Sequence, residues 1–225
     1  MVKAIVCDIE GTTTSLSFVK DTLFPYARRH ISKYVRENTD NPIISTLLDD
    51  VRIAMHHPNA TLNDIIDQLE RWIDEDEKIT PLKAIQGYLW EVGFNNGDYH
   101  GHVYSDAYEK LKIWHASGTD LYIFSSGSVR AQKLLFSHTE YGDLTPMFSG
   151  YFDTNIGAKS DPSSYMNIAD NIGYPAMEIL FLSDVKQELD AAKSAGLSTV
   201  WLIRYGSPSH DSQHPQVTNF LDITV

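Results

Sequence analysis

Residues Ile5–Ser15 read IVCDIEGTTTS. With Ala4 in front, a short apolar run delivers two acids spaced i, i+2, Asp8 and Glu10, followed by a glycine and a row of threonines. A run of this length that stops at a turn residue is a buried strand. A carboxylate at the end of a buried strand is costly unless something of opposite charge meets it. The stretch therefore predicts both a central strand and a charged site at its end. Gly11 and Thr12 are read as the turn that takes the chain out of the sheet.

Working outward, further apolar runs lie at Asp120–Ser128 (DLYIFSSGS), Gly150–Asp153 (GYFD), Glu178–Asp184 (EILFLSD) and Ser198–Ile203 (STVWLI). Several are continuous rather than alternating, the pattern of parallel strands covered on both faces. Helical stretches separate them. Val129–Phe136 is one. A second has Asp161 as N-cap, Pro162 at the first helical position and Gly173 at its end. A third runs over Val185–Ala195 and stops at Gly196. Strand and helix in alternation predict an α/β fold, an open Rossmann-like parallel sheet with helices on both faces.

The region from Ser17 to Ser105 has no convincing strand. Asp21–Val35, Asn41–Met55, Thr61–Asp76 and Thr80–Val92 carry apolar residues at helical spacing. Gly93–His102 (GFNNGDYHGH) reads as the linker back to the sheet. The expected organisation is an α/β core of residues 1–16 and 106–225, interrupted after its first strand by an all-helical lobe of residues 17–105.

The chain has 225 residues, 42% of them hydrophobic and 21% charged, with a formal net charge of -12. That charge argues against nucleic acid or an anionic membrane as partner. No apolar stretch approaches the roughly 20 residues of a membrane helix, and no secretory leader is expected from the strand-like KAIVCD start. With Cys7 the only cysteine, a disulfide within the chain is ruled out. A reducing, cytoplasmic setting fits, extending to the nucleus for a eukaryotic source.

In open α/β sheets ligands bind beyond the C-terminal strand ends. The residues there are Asp8 and Glu10, Ser125, Ser126 and Gly127, Ser183 and Asp184, with Glu188 one helical turn on and Lys159 in the loop after the third run. Asp8 with Asp184 calls for a hard divalent cation held by oxygen, for which Mg²⁺ is the expectation. Ser125 and Ser126 can offer hydroxyl and backbone donors to a phosphate, and Lys159 adds a point charge on the same anion. Asp8 is placed to attack phosphorus, and Glu10 to exchange protons with the leaving group and with water.

Taken in order, DIEGT (Asp8–Thr12), the strand-end SSG, the isolated Lys159 and LSDVKQE (Leu182–Glu188) resemble the haloacid dehalogenase-like phosphatases. The Glu10 variant, with FVKDTLFPY (Phe18–Tyr26), QGYLW (Gln86–Trp90), SSGSVRAQKLLF (Ser125–Phe136) and LFLSDVKQELDAA (Leu180–Ala192), is similar to the enolase-phosphatase family of methionine salvage over nearly the whole chain. The resemblance implies a small phosphorylated diketone, 2,3-diketo-5-methylthiopentyl-1-phosphate, that is enolised and then dephosphorylated. It implies one Mg²⁺ held by Asp8, the Glu10 carbonyl and Asp184, substrate held by Ser125, Ser126 and Lys159, and Glu188 orienting a metal-bound water. It also implies a helical cap and a monomer. The family's loop Arg-Pro-Gly-Asn stands here as RYGSPS (Arg204–Ser209), far in sequence from the other motifs.

Other readings stand beside these. Glu10 has an alternative role through its backbone alone, Glu188 as a surface helix residue, and Ser126 as a turn residue. Cys7 is read as buried and inert. His56, His57, His100 and His102 lack a completing carboxylate or cysteine and are read as solvated. Trp90 and Tyr88 are read as core residues of the helical lobe, and Asp74–Glu77 (DEDE) as a solvated helix end. Rival functions are another Mg²⁺-dependent haloacid dehalogenase-like phosphatase and, from another class, a phosphoacceptor regulatory module. The latter would place its lysine after the acids, whereas Lys159 precedes Asp184.

Overall fold

The apolar runs form a parallel sheet. In the computed structural model, which describes residues 2–208 and 213–225, the strands are β1 (Ala4–Cys7), β2 (Asp120–Phe124), β3 (Gly150–Phe152), β4 (Ile179–Ser183), β5 (Ser198–Leu202) and β6 (Gln216–Val217). Ser209, the last residue of the RYGSPS stretch, lies outside the described residues. The strand order is β3-β2-β1-β4-β5-β6, every pairing parallel. All of β1 is buried, since it is flanked by strands on both edges and covered on both faces.

That order contains a switch point. From β1 the chain steps outward to β2 and β3, then returns to build β4, β5 and β6 on the other side. The crevice lies between β1 and β4, where an open α/β sheet binds its ligand. Cys7 pairs with Leu182, and the Asp8 N–H donates to Leu182 O at 2.9 Å. Asp8 and Asp184 therefore leave the sheet side by side.

The chain divides into two compact units, Met1–Leu16 with His100–Val225, and Ser17–Tyr99. The first holds the sheet and a core built on Val6, Phe124, Tyr165, Ile168, Phe181 and Leu189. The return to this unit falls at His100, ahead of the expected 106, because Gly101 N–H donates to His138 O at 2.7 Å and Tyr104 N–H to Thr13 O at 2.9 Å. The helix Ser105–Ala116 that follows buries Ala107, Leu111 and Trp114. Their i, i+4, i+7 spacing is a helical signal that the strand-centred reading passed over. The two-residue β6 is too short to carry a pattern and was not anticipated.

The second unit consists chiefly of the helices Phe24–Glu37, Pro42–Ala54, Leu62–Asp74 and Thr80–Asn96 around Ile31, Ile44, Leu48, Ile65, Leu69 and Ile85. Asn41 caps the second of these from its side chain, and Thr61 with Asp64 forms a capping box on the third. Trp90 and Tyr88 pack against this core partly buried. The expected linker Gly93–His102 is only in part a linker: helix continues to Asn96 and ends at Gly97, which takes φ +73°. Gly93 is there for closeness rather than for a turn, since a Cβ on it would sit 2.7 Å from the Tyr99 ring and 2.9 Å from that of Tyr26.

Two glycines of this helix should thus respond oppositely to alanine. Gly93→Ala should destabilise by about 1–3 kcal/mol through overpacking. Gly87→Ala, with nothing within 4 Å of the new Cβ, should stabilise by roughly 0.5–1 kcal/mol through helix propensity. Urea unfolding followed by far-ultraviolet circular dichroism checks both; equal effects would remove the packing account.

Candidate active site

The turn after β1 is closed by its own backbone. Gly11 N–H donates to Thr14 O and Thr14 N–H to Ile9 O, each at 2.8 Å. Gly11 takes φ +73°, and a Cβ there would lie 2.0 Å from the Asp184 Oδ2 atom, so both conformation and space require glycine. The three threonines are fully buried. Thr13 donates to Asp8 O at 3.0 Å and Thr14 to His102 O at 2.7 Å. Thr12 Oγ1 accepts from the Asp184 N–H at 3.0 Å and lies 3.4 Å from both Asp8 Oδ2 and Asp184 Oδ1. The turn is thus a spacer seated between the two acids.

Lys159 reaches the same place from the loop after β3. Its Nζ lies 2.5 Å from Asp8 Oδ1 and 2.7 Å from Glu188 Oε2, with side-chain exposures of 11%, 6% and 13% for Lys159, Asp8 and Glu188. Its loop is fixed from behind: the buried Tyr165 hydroxyl donates to Lys159 O and the Ser164 hydroxyl to Ala158 O, each at 2.7 Å. Glu188 Oε2 also accepts from Ser183 Oγ at 2.9 Å. Asp184 is held from outside by Trp201, whose indole N–H donates to Asp184 O at 2.8 Å.

The electrostatics are unbalanced. Asp8, Asp184 and Glu188 face Lys159, three carboxylates against one ammonium. Burial, then the Asp8 charge, pushes the Asp184 carboxyl up to about 7, and the same causes raise Glu188. Burial opposes the charge on Lys159, but Asp8 and Glu188 more than reverse this and its pKa is raised. A deficit of positive charge remains beside Asp8 and Asp184. Among the described residues no cluster of three or more His, Cys, Asp or Glu side chains forms a metal cage. The Asp8 and Asp184 carboxylates, brought together on Thr12, are nonetheless hard oxygen donors that suit Mg²⁺, which keeps waters and takes substrate phosphate as ligand. The residues present fit that ion.

The remaining expected residues take distinct positions. Ser125 is buried, its Oγ accepting from the Gly127 N–H at 3.2 Å, and its N–H donating to Phe152 O at 3.2 Å. Ser126 is exposed on the loop, and the Glu10 side chain is exposed on the β1 turn. Gln132, almost fully buried, ties this loop to β3 by donating to Gly127 O and Phe152 O, each at 2.8 Å. Cys7 is buried, and burial raises its thiol pKa well above the ordinary value.

A haloacid dehalogenase-like hydrolase family model matches residues 2–196. Enolase-phosphatase E1 of Methylococcus capsulatus is 54% identical over 220 residues, covering 98% of this chain and 96% of that protein. Enolase-phosphatase E1 of Pseudomonas aeruginosa is 53% identical over 224 residues, covering 100% and 99%. The chain belongs to the enolase-phosphatase family of haloacid dehalogenase-like hydrolases. Its fold agrees: the UTR4 protein of Saccharomyces cerevisiae superposes with a TM-score of 0.84 at 33% identity, covering 99% of this chain and 100% of that one. An L-2-haloacid dehalogenase from Xanthobacter autotrophicus, at 19% identity and a TM-score of 0.55 over 92% of this chain, shares the fold alone.

Several residues in this member of the enolase-phosphatase family escaped sequence reasoning. Arg204, in the loop considered remote, donates to Thr12 O through Nε at 3.1 Å and Nη2 at 2.9 Å. Tyr165, Trp201 and Gln132 act on backbone atoms, which leave no spacing signature. His102 was expected in solvent, yet it is partly buried and its Nδ1 accepts from the Ser15 N–H at 3.0 Å. That bond requires Nδ1 to be unprotonated, and burial lowers the His102 pKa below 6.5.

The sign follows. With its folded pKa below the unfolded value, His102 favours folding above pH 6.5, and that stability is lost as the unfolded chain takes up a proton below it. Asp184, with its raised pKa, adds stability as the pH falls over the same range, so the His102 contribution is read as the difference between wild type and a variant in urea unfolding from pH 7.5 to 5.5. His102→Asn, whose amide oxygen can accept the same bond without titrating, should become more stable relative to wild type as the pH falls. Identical slopes in the two proteins would remove this role.

Proposed function

We propose that this chain is an enolase-phosphatase that converts 2,3-diketo-5-methylthiopentyl-1-phosphate to 1,2-dihydroxy-3-keto-5-methylthiopentene, an acireductone, and phosphate in methionine salvage. The observation that carries the reading is the meeting of Asp8, Lys159, Asp184 and Glu188 in the switch-point crevice, in a chain whose relatives of matching length are enolase-phosphatases E1. The Glu10 variant favours this over other phosphatases of the superfamily.

Asp8, the Glu10 carbonyl and Asp184 would hold one Mg²⁺ per chain, which when bound offsets the carboxylate charge and polarises the phosphoryl oxygens. Lys159 turns its ammonium from the acids toward the phosphoryl group, and Ser125 and Ser126 fix its other oxygens. In the enolisation the Glu10 carboxylate takes a carbon-bound proton and returns it to oxygen. It regains a proton from solvent before the phosphoryl step, and the proton it later takes from water is released to solvent before the next turnover. An Asp8 carboxylate oxygen then forms a bond to phosphorus while the bond to the substrate oxygen breaks, and Glu10 protonates that oxygen as it leaves. Water next attacks the phosphorus, Glu10 accepts its proton, and Asp8 and phosphate separate. Glu188 keeps Lys159 charged and orients a water at the site. The helical unit Ser17–Tyr99 acts as the cap that excludes water. The chain works as a cytoplasmic monomer; among the described residues no helix is long and apolar enough to cross a membrane.

Incubation with the diketone phosphate and Mg²⁺, following ultraviolet absorbance and phosphate release together, tests this. The wild type should show enol absorbance and then phosphate. Asp8→Asn should lose phosphate release by a factor on the order of 10⁴ or more while still forming the enol. Glu10→Gln should lose roughly 10²–10⁴-fold, enol formation included. Rapid turnover of small sugar phosphates with no reaction on the diketone phosphate would overturn the substrate assignment.

A further inference from the structure

Arg204 lies two residues beyond β5 and bonds the backbone of the turn after β1. Its side chain is 8% exposed, and its Nη1 donates to Asp106 Oδ2 at 2.7 Å across an ion pair whose carboxylate is 12% exposed. The guanidinium carbon lies 4.0 Å from the Tyr104 ring centroid and 5.1 Å from that of Phe220. Asp106 is itself fixed, since its Oδ2 also accepts the Phe220 N–H at 2.7 Å. A planar fork held edge-on by a carboxylate and face-on by aromatic rings has little freedom left. Its other two nitrogens, Nε and Nη2, both donate to one atom, Thr12 O.

Thr12 is the residue whose hydroxyl touches both acids. The hydroxyl accepts the Asp184 N–H and lies equally far from Asp8 Oδ2 and Asp184 Oδ1. Gly11 beside it packs on the Asp184 carboxylate with no room for a Cβ. The pair of hydrogen bonds from Arg204 fixes the carbonyl of this turn against repulsion between the acids. We infer that Arg204 is a positioning residue: its fork on the Thr12 carbonyl sets the separation of Asp8 and Asp184, and with it the affinity of the site for a divalent cation. The inference rests on the phosphatase reading of the site, and it makes the RYGSPS loop part of the reaction's support.

Arg204→Lys keeps the charge beside Asp106 but cannot make the fork. Asp106→Asn weakens the ion pair but leaves both bonds to Thr12. Magnesium binding to the full chain is measured by calorimetry without substrate and by Trp201 fluorescence, alongside kcat, KM and the thermal midpoint. Arg204→Lys should weaken Mg²⁺ binding at least about five-fold and lower kcat about ten-fold with little change in KM. Asp106→Asn should lower the thermal midpoint yet keep Mg²⁺ binding and kcat within about two-fold of wild type. A merely structural Arg204 would move only the midpoint in both variants, and that result overturns the inference. Should Arg204→Lys not fold, the double variant Arg204→Gln with Asp106→Asn, which leaves no unpaired buried charge, is held to the same criteria. A wild type that neither binds Mg²⁺ nor releases phosphate overturns the functional reading and this inference with it. A wild type that does both, equalled by Arg204→Lys, overturns the inference alone.

Discussion

Asp8 and Asp184 converge on one threonine hydroxyl at the switch point of a parallel sheet, and the surrounding structure is arranged around that repulsion. Like charges this close in a half-buried crevice cannot both ionise without compensation. Lys159 supplies part of it through Asp8 and Glu188. Burial, then the Asp8 charge, still raises the Asp184 pKa. The same constraint accounts for Gly11, where any side chain would strike Asp184, and for Thr12, whose hydroxyl separates the acids. It accounts too for the bonds that Arg204 and Trp201 make from outside the crevice.

Much of this was legible in the sequence, for identifiable reasons. Strands buried on both faces read as continuous apolar runs, so β1, β2, β4 and β5 were recoverable from letters alone. The charged residues that line the site were recoverable because a buried acid at a strand end has few innocent explanations. The helix starts at Asn41 and Thr61 announced themselves through their caps. What could not be read was support through backbone atoms. The Tyr165 hydroxyl on Lys159 O, the Trp201 indole on Asp184 O and the Arg204 fork on Thr12 O join positions far apart in sequence with no fixed spacing. Gly93 misled for the opposite reason: a glycine in a Gly-Asn run signals a turn, but here it serves ring packing inside a helix.

The division of labour between residue types follows from the chemistry. The groups proposed to change partners during the reaction, Asp8, Lys159 and Glu10, stand on turns and loops. Groups that hold those turns are aromatic or planar and mostly buried: Tyr165, Trp201, Gln132 and Arg204. Their rigidity lets a site assembled from separate loops keep its geometry despite internal repulsion. Enolase-phosphatases E1 of matching length place this arrangement in the enolase-phosphatase family.

The central claim is that Lys159 compensates the Asp8–Asp184 pair only in part, and that a divalent cation relieves the rest. It is tested most directly by thermal unfolding of wild type and Asp184→Asn at pH 8, each with and without Mg²⁺ in large excess. The account predicts that Mg²⁺ stabilises the wild type, by about 2.7 kcal/mol at one hundred times its dissociation constant. Asp184→Asn should be more stable than wild type without the ion and should not respond to it. A variant less stable than wild type without Mg²⁺, and stabilised by the ion to the same extent, would contradict the account.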